Sequence, residues 1–185
     1  MVSTRDRLID AATRLLDQGG PAAVTLREVG RLAGVSHNAP YKHFAGKQDL
    51  LAAVAARELF RQERPRRRRP DSKPGPDARQ LMHEYVRWAT RYPARFKLTF
   101  GSWSTGSDEL ADAASSARSV LVAAVERGQA AGDLPPGNPE RLAALILAVA
   151  HGAVDLALNG HLSRTGKGHA SPKDLVDDLF DQLGA

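Results

Sequence analysis

Between Thr25 and Phe44 the chain reads TLREVGRLAGVSHNAPYKHF, and His37, Asn38, Lys42 and His43 in its second half are side chains that can read nucleic acid. An Asn amide pairs with adenine, and a Lys ammonium pairs with guanine or a phosphate oxygen. A second source of charge follows. Residues 57–73 hold eight Lys/Arg and three acids, so this stretch carries the whole excess of a chain whose formal net charge is +5. Clustered cations gain affinity for polyanions by releasing counterions from phosphates. The same stretch reads equally as a solvated loop. A third pair, His151 and Asp155, is one helical turn apart and could face a common cavity, where burial would require pairing with each other or with a ligand.

Other chemistries find little support. There is no cysteine, so disulfides and thiolate metal sites are excluded. No nucleophile motif or Gly-rich phosphate loop is present. No third ligand accompanies His151 and Asp155. No catalytic residue, metal site or cofactor is therefore expected, and an enzyme built on that pair is the weakest of three readings. The others are a sequence-reading regulator and a nonspecific nucleic-acid binder driven by the arginine run.

The Thr25–Phe44 stretch needs two short helices and a tight turn. Thr25 lies three residues before Glu28, the spacing of a capping box. Leu26, Val29 and Leu32 recur at helical spacing and predict one buried stripe. Gly34 falls where the helix must stop, and Ser36 is a good N-cap for a second helix from about His37 to His43. Together these predict a helix-turn-helix, which presents its second helix to the DNA major groove. A helix from Thr4 to Gln18 precedes it, with Leu8, Ile9, Ala12, Leu15 and Leu16 inward and Gly19, Gly20 and Pro21 as its stop. Val24, Leu26, Val29, Val35 and Phe44 complete a small core. A further helix starts near Lys47, with Leu50, Leu51, Val54 and Leu59 inward, and fades into ERPRRRRPDSKPGP; residues 64–76 read as a basic, Pro-rich linker or loop.

The second half is helical again, with segments Ala78–Arg91, Pro93 to about Gly101, Asp108–Ala130, Glu140–Leu158 and Ser171 to near Leu183. Leu110, Ala114, Val120, Leu121 and Val125 are expected to be buried. Asn138 is a candidate cap with Pro139 at the first helical position. The Glu140–Leu158 segment is apolar nearly all round, which predicts burial on most sides or sharing with a partner subunit. No stretch alternates with a two-residue period, so the fold class is all-α. The N-terminal MVSTRDRLIDAATRLL mixes charged and apolar residues at helical spacing, unlike a signal peptide, and no run reads as apolar enough to span a membrane. A soluble cytoplasmic protein is expected.

The core AGVSHNAPYKHFAGKQDLL, placed after a first helix and before a helical second half, resembles the TetR family of bacterial transcriptional regulators. RYPARFKLTFG and LAVAHGAVDLAL are similar to the subgroup with a Trp-His-Gly or His-Gly signature, although Ala150 stands where that signature has Trp. The resemblance implies a helix-turn-helix DNA-binding domain over 1–46 and a ligand-binding and dimerisation domain over 47–185. It implies a homodimer on palindromic double-stranded operator DNA, released when a small effector changes the spacing of the two reading heads. Thr25 and Arg27 then lie near the DNA backbone. Ser36, His37, Asn38, Ala39, Pro40 and Lys42 lie in the reading segment, and Tyr41, His43 and Lys47 contact phosphates. Pro40 stands where many relatives have an aliphatic residue, and Gly46 where a Ser or Thr cap is commoner.

The resemblance also places a mostly apolar pocket in the second domain, with Tyr85, Trp88, Phe96, Phe100, Trp103, His151 and Asp155 as candidate lining. It assigns dimerisation to the last two helices. Ala143, Ala144, Ala148 and Gly152 permit close approach there, and Asp174, Asp177, Asp178 and Asp181 keep the outer face polar.

Overall fold

The computed structural model describes residues 2–63, 77–103 and 106–184, and every regular element among them is helical. The arginine run Arg64–Arg69, with Lys73, lies outside the described residues. Helix α1 (Thr4–Ala23) opens on Ser3, whose Oγ accepts the Asp6 amide at 3.1 Å. Its regular part ends where the glycines stand, because Gly19 and Gly20 leave helical geometry and Gly20 takes φ +66°. Helix α2 (Leu26–Leu32) opens on Thr25, whose Oγ1 accepts the Glu28 amide at 3.2 Å. The reciprocal half of the capping box is not formed. The Glu28 carboxylate turns instead to Arg31, at 2.5–3.1 Å, because a guanidinium one turn on offers a charged, forked partner. Leu32, expected in the buried stripe, is 37% exposed; it lies on the last turn, past the packed Val29 and Gly30.

The segment after α2 differs from the expected helix. Residues after Ser36 form a turn and then a single 3-10 turn, Pro40–Lys42. Pro40 has no amide to give the Ser36 carbonyl, so that carbonyl accepts from Ala39 at 3.0 Å. The bonds from Lys42 to Ala39 at 3.2 Å and from His43 to Pro40 at 3.1 Å also span three residues, and the Phe44 amide adds a four-residue bond to Pro40 at 3.0 Å. Helix α3 (Lys47–Glu63) follows Gly46, which cannot cap through a side chain; Asp49 covers the Ala45 amide at 3.0 Å instead. The later helices are α4 (Ala78–Arg91), α5 (Pro93–Thr99), α6 (Asp108–Ala131), α7 (Pro139–Leu158) and α8 (Pro172–Leu183).

These helices fall into two compact units, Met1–Arg61 with Tyr92–Ser115, and Gln62–Arg91 with Ser116–Ala185. The first therefore holds α1, α2, most of α3, α5 and the first turns of α6. Its core joins Leu8, Ile9, Leu15 and Leu16 of α1 to Val24, Val29, Phe44, Leu50, Leu51 and Val54, with Ala94 and Leu98 of α5 packed against it. Inside this apolar face Glu58 is only 2% exposed. Arg95 of α5 reaches its two oxygens at 3.3 and 3.2 Å, and the same guanidinium donates to both oxygens of Asp17 on α1, at 2.9 and 2.5 Å. Arg61 adds an ion pair to Glu58 at 3.4 Å, and Arg57 pairs with Asp10 at 2.9 Å. Two cations of the basic stretch are thus tied into α1 and α3.

In the second unit α4, α7 and α8 pack on one another. Asn138 accepts the Arg141 amide at 3.0 Å, with Pro139 at the first position of α7, as the sequence indicates. Ser171 and Asp174 form a complete capping box at the start of α8. The Arg164 guanidinium, then the Ser171 groups, hold the Asp174 carboxyl well below the usual carboxylate range. Across the α4–α8 seam His83 meets Asp177 at 2.7 Å and Arg79 meets Asp181 at 2.5 Å, so Asp177 serves a contact rather than an open face. Ala114 of α6, expected inside, is exposed, while Leu110, Leu121 and Val125 are buried. Helix α7 also corrects the membrane expectation. It is 20 residues long, with an 18-residue stretch of mean hydropathy 1.7, long and apolar enough to cross a bilayer. Ile146, Ala150, Ala153 and Val154 are buried, while Leu145 and Leu156 are 49% and 46% exposed.

Replacing Arg95 by Met leaves Glu58 buried without its main partner, and a loss of about 3–5 kcal/mol in unfolding free energy is expected. Chemical denaturation measures it. Adding Glu58→Leu should restore most of the loss, whereas a single-variant loss below about 1 kcal/mol would mark the pair as a solvated one.

Candidate functional site

Thr25, Arg27, Ser36, His37, Asn38, Tyr41, Lys42 and His43 are all exposed, and Lys47 is partly so. They form the outer side of the α2-to-α3 stretch in the first unit. Two buried residues fix that edge. Pro40 packs against Gly30, where a Cβ would come within 3.0 Å of the proline Cγ, so glycine in α2 is what lets the 3-10 turn lie close. Phe44 is 2% exposed and plugs the end of the segment into the core. Pro40 therefore positions the edge and does not itself reach outward. Tyr41 is 55% exposed, with its ring 6.1 Å from that of His37.

Sequence patterns did not reveal the cations that hold this edge from behind. Arg7 of α1 donates to the carbonyls of Ala33 and Gly34, at 2.5 and 3.2 Å, and so satisfies the C-terminal end of α2 at the turn. Arg5 lies 5.4 Å from the Phe44 ring centroid and pairs with Glu109 of α6 at 2.5 Å. Nothing in the sequence of α1 distinguishes these arginines from solvated ones, because their partners lie far along the chain. Electrostatically the outer edge offers donors and cations, Arg27, Asn38, Lys42 and Lys47. Phosphate oxygens and base acceptors are the matching chemistry.

The candidate effector residues separate. In the second unit the Tyr85 hydroxyl and His151 Nδ1 are 2.8 Å apart, and the Tyr85 and Trp88 rings are 6.2 Å apart. Burial pushes the Tyr85 phenol up from its usual value. Burial also pulls the His151 imidazole down, against the nearby Asp155 carboxylate. A protonated phenol facing a neutral imidazole donates to Nδ1 and keeps the imidazole proton on Nε2. Asp155 is exposed and accepts from the Asn159 amide at 3.1 Å, so it does not share an enclosed cavity with His151. Phe96, Phe100 and Trp103 belong to the first unit, where Phe96 is buried and Phe100 is 39% exposed. Tyr85, Trp88 and His151 are thus the group that comes together. Among the described residues no cluster of three or more His, Asp or Glu could hold a metal ion.

A model of the bacterial regulatory proteins of the tetR family matches residues 8–54, and one of the tetracyclin repressor-like C-terminal domain matches residues 78–183, more than half of the chain. The transcriptional regulator SrpR of Pseudomonas putida is 45% identical over 53 residues, 29% of this chain and 25% of that protein. AcrR of Shigella flexneri is 39% identical over 51 residues, 28% of this chain and 24% of its own. The matched segment spans only about a quarter of either relative. Among solved structures, a protein of unknown function from Rhodococcus sp. RHA1 aligns over 100% of this chain and 97% of its own, with TM-score 0.77 and 28% identity. FadR of Bacillus subtilis, solved with stearoyl-CoA, aligns over 97% of both chains with TM-score 0.66 and 16% identity, a likeness of fold.

Because the folded chain holds His151 neutral, the unfolded chain takes up its proton first as pH falls. Stability from this residue is complete above about pH 7 and falls as pH drops through about 6.5, the usual imidazole value. Thermal unfolding midpoints across pH 5.5–7.5 should show that slope in the wild type and a shallower one in His151→Asn; equal slopes would place the titration elsewhere.

Proposed function

The chain belongs to the TetR family of bacterial regulators, and on that premise we propose that it is a homodimeric, DNA-binding transcriptional regulator. It acts as a repressor that leaves a palindromic operator when a small, mostly hydrophobic effector binds. The observation that supports this best is the edge from Thr25 to Lys47, polar and cationic outside, apolar and anchored inside. Tyr41, His43 and Lys47 contact phosphates, while His37 and Asn38 face the bases. The short 3-10 turn presents fewer side chains than a full recognition helix, so His37 and Asn38 carry much of the discrimination.

The effector lies against Tyr85, Trp88 and His151. Their aromatic rings supply apolar area, and the phenol–imidazole pair supplies one polar anchor. Exposed Leu145 and Leu156 of α7, with small Ala144 and Ala148 also exposed, support a twofold interface through α7 and α8.

Gel-shift titration on palindromic DNA from the protein's own promoter region tests the first part. Tyr41→Ala and Lys47→Ala should each weaken operator binding about tenfold at 0.1 M salt, and Lys47→Ala should lower the salt slope by about one. Binding as tight as the wild type in both would remove the assigned phosphate contacts. Sedimentation tests the second part: Leu145→Glu with Leu156→Glu should turn a dimer into a monomer, and a monomeric wild type would contradict the interface.

A further inference from the structure

The first unit contains a groove that the DNA-reading edge and the Tyr85–His151 group do not use. It has a volume of about 580 Å³, between the α1–α2 corner, the first turns of α3, and α5 with the residues after it. Pro21, Leu51, Leu98 and Trp103 give it apolar walls, and Gln48 and Lys97 add polar groups. Its size lies within the range of small-molecule sites. Among the described residues that line it, Lys97 contributes the only charge. Lys97 is exposed and takes part in none of the ion pairs among the described residues. The Trp103 indole Nε1–H is buried without a hydrogen-bond partner, a donor that the fold leaves unsatisfied.

Apolar walls select a hydrophobic body, and an indole face favours an aromatic one. A cation that enters no ion pair among the described residues selects an anionic head, and the unmet indole donor calls for an acceptor oxygen. We propose that this groove is a second small-molecule site that binds an aromatic monocarboxylate. The ring lies against Trp103 and Leu98, one carboxylate oxygen faces Lys97, and a small rotation of the indole brings its N–H to the other. Because Leu51 and Gln48 stand on the first turns of α3, the occupant touches the helix that begins at Lys47.

Binding is measurable without DNA and without the Tyr85–His151 group. The chain has two tryptophans, so its proton–nitrogen correlation spectrum contains two indole signals, and Trp88→Phe leaves Trp103 alone. Titration of full-length Trp88→Phe protein with biphenyl-4-carboxylate should move that signal downfield and saturate. Biphenyl-4-methanol, the neutral analogue, should bind about tenfold more weakly, as should Lys97→Gln protein with the carboxylate, the loss expected for one charge-assisted hydrogen bond. Ala94→Phe, which narrows the groove beside Leu98, should abolish the shift while leaving the rest of the spectrum folded. A Trp103 signal that does not saturate, or that responds equally to both analogues and ignores Lys97→Gln, overturns the proposal. A response confined to Trp88 in the wild type would also overturn it, placing the carboxylate in the other unit.

Discussion

A carboxylate stands in the middle of an apolar helix face, and the first unit is organised around neutralising it. Glu58 is flanked in α3 by buried alanines and leucines, where an unpaired charge would cost several kcal/mol. Its solution is Arg95, which divides its donors between Glu58 and Asp17 and lies 4.1 Å from the Tyr92 ring centroid. One guanidinium therefore joins α1, α3 and α5. Replacing such a group by apolar packing often leaves stability unchanged, so its value here is geometric. It sets the register of α5 on α1 and α3.

That constraint bears on the proposed DNA edge. The segment His37–His43, a turn followed by the 3-10 turn Pro40–Lys42, makes few bonds of its own, and its placement comes from behind. Pro40 sits against Gly30, Phe44 is buried in the core, and Arg7 holds the carbonyls at the end of α2. Each of these contacts reaches α1, α2 or the α1–α3 core, whose own register Glu58 and Arg95 fix. A loosened α5 would thus be felt at the edge without any change in the residues proposed to face DNA.

Much of this was legible in the sequence wherever the signal was local. Thr25 and Asn138 cap the helices they were expected to cap, and the start of α3 and the bounds of α4 lie at the expected residues. The all-α class followed from helical periodicity. The misreadings come from two sources. Pro40 stands out in the sequence as a departure from the aliphatic residue of many relatives, yet its consequence, mostly three-residue bonds in place of a helix, depends on which carbonyl loses its donor. Glu58 and Arg57 read as part of a charged run because their partners, Arg95 and Asp10, are far away in the chain. Long-range pairing leaves no periodic trace. The same reason separates Phe96, Phe100 and Trp103 from Tyr85 and His151: their similar chemistry suggested one pocket, whereas packing assigns α5 to the first unit.

Amide hydrogen exchange on the full-length chain tests most directly whether Glu58 and Arg95 make α1, α3 and α5 one cooperative body. The slowest amides of the three helices should open with a single free energy, equal within experimental error. If α5 exchanges through its own, lower-energy opening while α1 and α3 stay protected, the buried ion pair does not bind them together and the account of the reading head fails.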